Sequence, residues 1–154
     1  MWVELNTTEQ SFAKLLAKSR YEANRNSGVW NARIGPQSDE TTDLEGIGAE
    51  LAFCRIANVY PDLTIDSHPE EDALTHCGRR VDVKGTRYER GHLLAVLGKA
   101  GKAADIYVLV VGTFPRYRIA GMAYAEEVFK DENIKDFGYG PTYAVPQRNL
   151  HRFN

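Results

Sequence analysis

The sequence predicts an α/β fold, a sheet with helices packed against it, on three observations. Two stretches in the first 59 residues, 7–26 and 42–59, carry apolar side chains at helical spacing behind capping-box signals. Residues 61–121 then break into short alternating or β-branched runs, separated by turns rich in Gly, Pro and Asp. One of these runs, Asp105-Ile-Tyr-Val-Leu-Val-Val-Gly112, is apolar almost without interruption, as a strand buried on both faces must be.

At 154 residues, 43% of them hydrophobic, the chain holds enough material for one domain with a real core. No apolar run approaches the ~20 residues of a membrane span, and the amino terminus lacks a basic-then-apolar signal pattern. Cys54 and Cys77 stand apart with no C-x-x-C, so neither a disulfide framework nor a zinc knuckle is expected. A reducing cytoplasm and no membrane association are the expectation. The organisation expected is a helix over 7–26, a flap over 27–41, a core over 42–121, and a helix and tail over 122–154.

The first helix is signalled by Thr7-x-x-Gln10 and by Phe12, Leu15, Leu16 and Ala23 at helical spacing; Lys14, Lys18, Arg20 and Arg25 decorate it. Gly28, Gly35-Pro36 and Ser38-Asp39 then make a turn-rich flap. Thr42-x-x-Glu45 opens the second helix. Ile47, Glu50, Leu51, Cys54 and Ala57 fall within one arc of it, while Phe53 and Ile56 make the opposite side apolar too. A helix apolar nearly all round is buried, so Glu50 needs a cation, a hydrogen-bond donor or a proton.

Residues 61–66 read as a first strand and 67–71 as a loop. The stretch Asp72-Ala-Leu-Thr-His-Cys-Gly-Arg-Arg-Val-Asp82 then folds as a hairpin about Cys77-Gly78, which brings Asp72 level, within one residue, with Asp82. In Asp82-Val83-Lys84, alternation sets Val81 and Val83 on one face and the acid and base on the other. Facing carboxylates repel unless a cation lies between them, and such oxygen ligands suit Mg²⁺ or Mn²⁺. Further strands are expected at 92–97, 105–112 and 117–121, then an amphipathic helix over 124–135 and an edge strand at 143–145.

The net charge of −2 argues against a general polyanion surface, but the charges are sorted. Residues 79–102 hold Arg79, Arg80, Lys84, Arg87, Arg90, Lys99 and Lys102 against only Asp82 and Glu89, whereas 39–50 hold five acids and no base. A basic strip beside an acid cluster suits a phosphate backbone gripped on one side and a metal held on the other. Tyr88 and Trp30 are candidate stacking residues; His68, His76 and His92 lack ligand spacing.

A helix bearing Gly-x-Gly-x-Glu50, then Asp72, then a hairpin into Asp82-x-Lys84-Gly-Thr, then a hydrophobic strand, resembles the PD-(D/E)XK nuclease superfamily, and its small phage-encoded members above all. The resemblance covers about residues 42–121. It implies a restriction-endonuclease-like three-layer fold, a central mixed sheet flanked by helices. It also implies an Mg²⁺- or Mn²⁺-dependent phosphodiesterase, an endonuclease before other kinds, acting on DNA ahead of RNA. Asp72, Asp82 and the Val83 carbonyl would hold the metal with help from Glu50, and Lys84 would assist the attacking water. Arg79, Arg80, Arg87, Arg90, Lys99 and Lys102 would contact the nucleic acid. Asp62, in a literal Pro61-Asp62, and Asp66 compete for the role of Asp72, and no helix is evident between Lys84 and the next core strand. A non-catalytic nucleic-acid-binding module, or a phage factor acting on a host protein through residues 38–45, are the alternatives; homodimerisation is compatible with either.

Overall fold

The computed structural model describes residues 1–28, 38–65, 71–100 and 104–153. Helix α1 (Thr7–Asn26) starts where Asn6 and Glu9 cap one another: the Asn6 side chain accepts from the Glu9 backbone, and the Glu9 carboxylate accepts from the Asn6 backbone N–H at 2.7 Å. Its buried stripe is Ala13, Leu16 and Ala17, which pack on Ile47, while Phe12 and Leu15 stay accessible. Helix α2 (Asp39–Ala57) starts three residues before the expected point, because Ser38 supplies the cap and accepts from the Thr41 N–H. Glu45, expected in a capping box, turns instead towards the sheet. Of the expected flap, 29–37 lie outside the described residues.

The principal sheet has five strands in the order β1-β6-β5-β3-β2: β1 (Trp2–Glu4), β2 (Ala73–Leu74), β3 (Arg80–Thr86), β5 (Ile106–Thr113) and β6 (Arg116–Tyr124). Strands β3 and β5 run parallel and every other pair is antiparallel, so the sheet is mixed. A parallel neighbour needs a crossover. Here the crossover carries β4 (Leu93–Val96), which leaves to form a second sheet, β4-β8-β7, with β7 (Ile134–Asp136) and β8 (Pro141–Val145).

Strand β5 shows why its sequence is apolar throughout. Ile106, Val108 and Val110 meet Ala49, Ala52 and Phe53 of α2 on one face. Tyr107, Leu109 and Val111 meet Leu93, Ala95, Tyr143 and Val145 of the second sheet on the other. The architecture is α/β, with α2 over one face and α1 packed on α2; the second sheet and the one-turn helix α3 (Ala125–Val128) cover the other.

Several expected elements differ. Residues 61–65 make one bridge, Pro61 to Ala73, and no strand, because Asp62 Oδ1 accepts from the Thr64 N–H at 3.0 Å and turns the chain. The helix expected over 124–135 stops after one turn, where Asn133 Nδ2 donates to the carbonyls of Glu127 and Val128. The segment at 143–145 is the middle of the second sheet rather than an edge. Strand β1, three residues long, carries no sequence signal strong enough to predict it. No helix among the described residues is long and apolar enough to cross a membrane.

Candidate functional site

The hairpin that opens β3 turns at Gly78, whose φ of 78° a side chain would resist. The Gly78 N–H donates to the Thr75 carbonyl and the Thr75 N–H to that of Arg79, both at 2.9 Å. The ladder pairs Ala73 with Val81 and Leu74 with Arg80, so Asp72 stands opposite Asp82, one step past the last pair. Asp72 Oδ2 accepts from the Val83 N–H at 2.6 Å, which bends its carboxylate over the β3 backbone. Asp82 lies beside Tyr107 in the parallel ladder and is only 3% exposed. The Lys84 ammonium, one alternation along, is 2.6 Å from Asp82 Oδ1 as an ion pair, although that oxygen accepts no aligned hydrogen bond.

Glu50 approaches the same cluster from α2. Burial, and then the Asp72 charge, push its carboxyl up to about 8, against the pull of Arg20. Burial and the Asp82 charge likewise raise Asp72 to about 6, with the Val83 N–H and Lys84 opposing. Cys54, one turn beyond Glu50, is pushed up to about 12 by burial and by both carboxylates, so its thiol stays protonated. Asp72 thus feels Glu50 on one side and Asp82 on the other, and Glu50 and Asp72 resist ionising together. Beside it an open groove of about 490 Å³ runs past Tyr60, Asp62, Glu71, Asp72 and Leu74.

Arg20 is the member of this cluster that the sequence reading overlooked. Its guanidinium, 11% exposed, lies 3.3 Å from Glu50 Oε2 and 3.1 Å from Asp62 Oδ2, and donates to the carbonyls of Asp62 and Thr64 at 2.8 and 2.9 Å. It is not surface decoration. The signal was present, since Arg20 continues the buried Ala13, Leu16, Ala17 spacing by one more turn. Asp62 is therefore committed to Arg20 and to the Thr64 turn, while Asp66 lies outside the described residues.

The basic residues are dispersed. Arg79 is exposed with its guanidinium over the Tyr124 ring, and Arg80 pairs with Asp105 at 3.3 Å. Arg87 is exposed over Tyr88, and Arg90 is exposed. Lys102, Trp30 and His68 lie outside the described residues, and nothing is described of the Lys99 side chain. Among the described residues no group of three or more His, Cys, Asp or Glu side chains is already gathered to hold a metal ion.

No protein-family model matches the chain, and no curated protein matches it. The chemistry of the site must be argued from its own atoms. Two carboxylates and a backbone carbonyl at one sheet edge form a hard oxygen donor set, and a single ammonium is the nearest cation to Asp82. Carboxyls that ionise only with difficulty on their own gain most from a cation that draws their protons away.

Proposed function

We propose that the chain is a metal-dependent nuclease that hydrolyses phosphodiester bonds of nucleic acid, DNA ahead of RNA, on a restriction-endonuclease-like fold. One observation carries the reading: Asp72 and Asp82 face each other across a hairpin, with Lys84 on Asp82 and Glu50 behind Asp72. The donor set fits Mg²⁺, which takes one or two carboxylates and keeps several of its waters, so a third side chain need not already be in place. Asp72, Asp82 and the Val83 carbonyl would hold it. Asp82 Oδ1, buried and balanced by the Lys84 ammonium, is the oxygen that would pass from lysine to metal.

A bound divalent ion would polarise the phosphodiester and acidify a water. The residues of the chain do the rest. Lys84 can release Asp82 and turn its ammonium to the attacking water or to charge developing on phosphate oxygens. Arg20 holds the Glu50 carboxylate in its orientation. Arg79, Arg87 and Arg90 are exposed and offer guanidiniums to flanking phosphates. The close Lys84–Asp82 pair favours one second reading, a nucleic-acid-binding module that neutralises its own acid and does not turn over.

Cleavage of linear, circular, single-stranded and branched DNA with and without Mg²⁺ separates the two readings. The nuclease reading expects Mg²⁺-dependent cleavage of at least one substrate that Asp72→Asn abolishes. Binding without any cleavage in Mg²⁺ or Mn²⁺ would leave the second reading standing.

A further inference from the structure

We infer that the Trp2 end of the principal sheet binds an unpaired nucleic-acid strand flanking the candidate site. For the identity of the polymer this rests on the nuclease reading. Thr86, Val111, Arg118 and Trp2 are successive register partners across β3, β5, β6 and β1, and so form one row on one face of the sheet. The Arg116 and Arg118 guanidiniums lie 5.2 and 5.8 Å from the centre of the Trp2 ring. A hollow of about 380 Å³ opens between this indole and Arg87, lined also by Glu89, Val111, Thr113 and Arg116.

The bland role for a tryptophan on an edge strand is packing, and the burial pattern opposes it. Val3 packs against the apolar core, whereas Trp2 points to the other side, stays 44% exposed and belongs to none of the three apolar clusters. Arg116 and Arg118 lie against this indole, and its 44% exposure leaves part of the ring open to a further planar group. Interior base pairs of a duplex are stacked on both faces, so an unpaired base has the most to gain from it, and stacking of this kind tolerates any sequence.

The rim supplies the charge that a strand requires. Arg118 pairs with Glu89 at 2.6 Å, and Gln147 Nε2 donates to the carbonyls of Glu89 and Gly91, both at 2.9 Å. These bonds fix the 87–91 loop and present Arg87 with the 58% exposed Tyr88. Arg87 and Arg116 have no carboxylate partner among the described residues, so both can meet phosphates. With strands ~4.8 Å apart and ~3.3 Å of rise per residue, Trp2 lies roughly 15 Å from Lys84, within a few nucleotides of a strand held there.

The test uses a Trp30→Phe background, in which Trp2 is the one remaining indole. In Ca²⁺, Trp2 fluorescence should be quenched by a (dT)12 oligonucleotide and by a short duplex with a six-nucleotide tail, and not by the blunt duplex. Trp2→Ala combined with Arg116→Ala should weaken binding of the tailed duplex by roughly 10-fold or more while leaving the blunt duplex unchanged. Trp2→Phe should retain most of the affinity, which guards against a folding defect in the double variant. The inference falls if the tail adds no affinity, if neither oligonucleotide quenches, or if a folded double variant binds the tail like its parent. Quenching without any cleavage would sink the nuclease reading alone, and cleavage indifferent to the tail would sink this inference alone.

Discussion

With its ammonium 2.6 Å from Asp82 Oδ1, Lys84 balances a carboxylate that is almost wholly buried. Lys84→Ala strands that charge and should lower metal-free stability by about 1–3 kcal/mol, less than a fully buried pair would lose because the ammonium is 30% exposed. If the same charge also serves the transition state, single-turnover cleavage should fall by roughly 10²-fold or more, with substrate binding in Ca²⁺ little changed. Cleavage at the parental rate would remove Lys84 from the chemistry. Glu50 makes a prediction of opposite form. Its carboxyl is held near 8 against an ordinary 4.5, and that of Asp72 near 6 against 3.8. Between pH ~4 and ~8 the folded chain therefore holds protons at these two sites that the unfolded chain has released, and their contribution to metal-free stability falls as pH rises across that window. Glu50→Gln, which cannot ionise, should gain stability relative to its parent on going from pH 5 to pH 8, as read from urea midpoints; a constant difference would refute the shift. The facing aspartates were legible because the Cys77-Gly78 hinge sets their register, with Cys77 five positions from each. The spacing of Arg20 placed it in line with the buried stripe of α1, but its partners did not show, since residues 62–64 fold over it only in three dimensions.

At the scale of elements, α2 and the β5–β6 hairpin are locked by a contact that no local pattern announces. Glu45 Oε2 accepts from the Phe114 N–H at 2.9 Å and from the Tyr117 hydroxyl at 3.1 Å. Gly48, one turn along α2, leaves the space in which the Tyr117 hydroxyl lies; an added Cβ would overlap that hydroxyl and come within 2.8 Å of the ring Cζ. Gly48→Ala should therefore destabilise the fold by about 1–3 kcal/mol despite the better helix propensity of alanine. In a Tyr117→Phe background, where the nearest atom is gone, the same substitution should cost less. Equal losses in thermal melts of the two backgrounds would show that the crowding is relieved elsewhere. Strands β3, β5 and β6 were readable from alternation and apolar runs, because burial on two faces writes itself into the sequence. The second sheet was only partly so: β7 is exposed at every position and is held by its ladder to β8.

For the molecule as a whole, the proposed metal site predicts that a divalent ion stabilises the folded state. Mg²⁺ or Mn²⁺ at about 100-fold its dissociation constant should add about 2.7 kcal/mol and raise the melting temperature accordingly. Asp72→Asn should abolish the shift. Calorimetry showing neither heat of binding nor a change in melting would remove the metal from the proposal. The α/β class was legible from the helix and strand periods, but the layer covering the second face was not, because β4 and β8 are distant in sequence and pair only in three dimensions. The placement of β1 has a further consequence, for synthesis on the ribosome. Trp2, Val3 and Glu4 are made more than a hundred residues before their ladder partners Arg118, Tyr117 and Arg116. At ~5–20 residues per second, β1 waits roughly 6–23 s for the strand it will border. Through that interval Trp2 and its neighbours have no native ladder to join, so β1 is made ahead of the rest of its sheet and cannot be built in until β6 has followed.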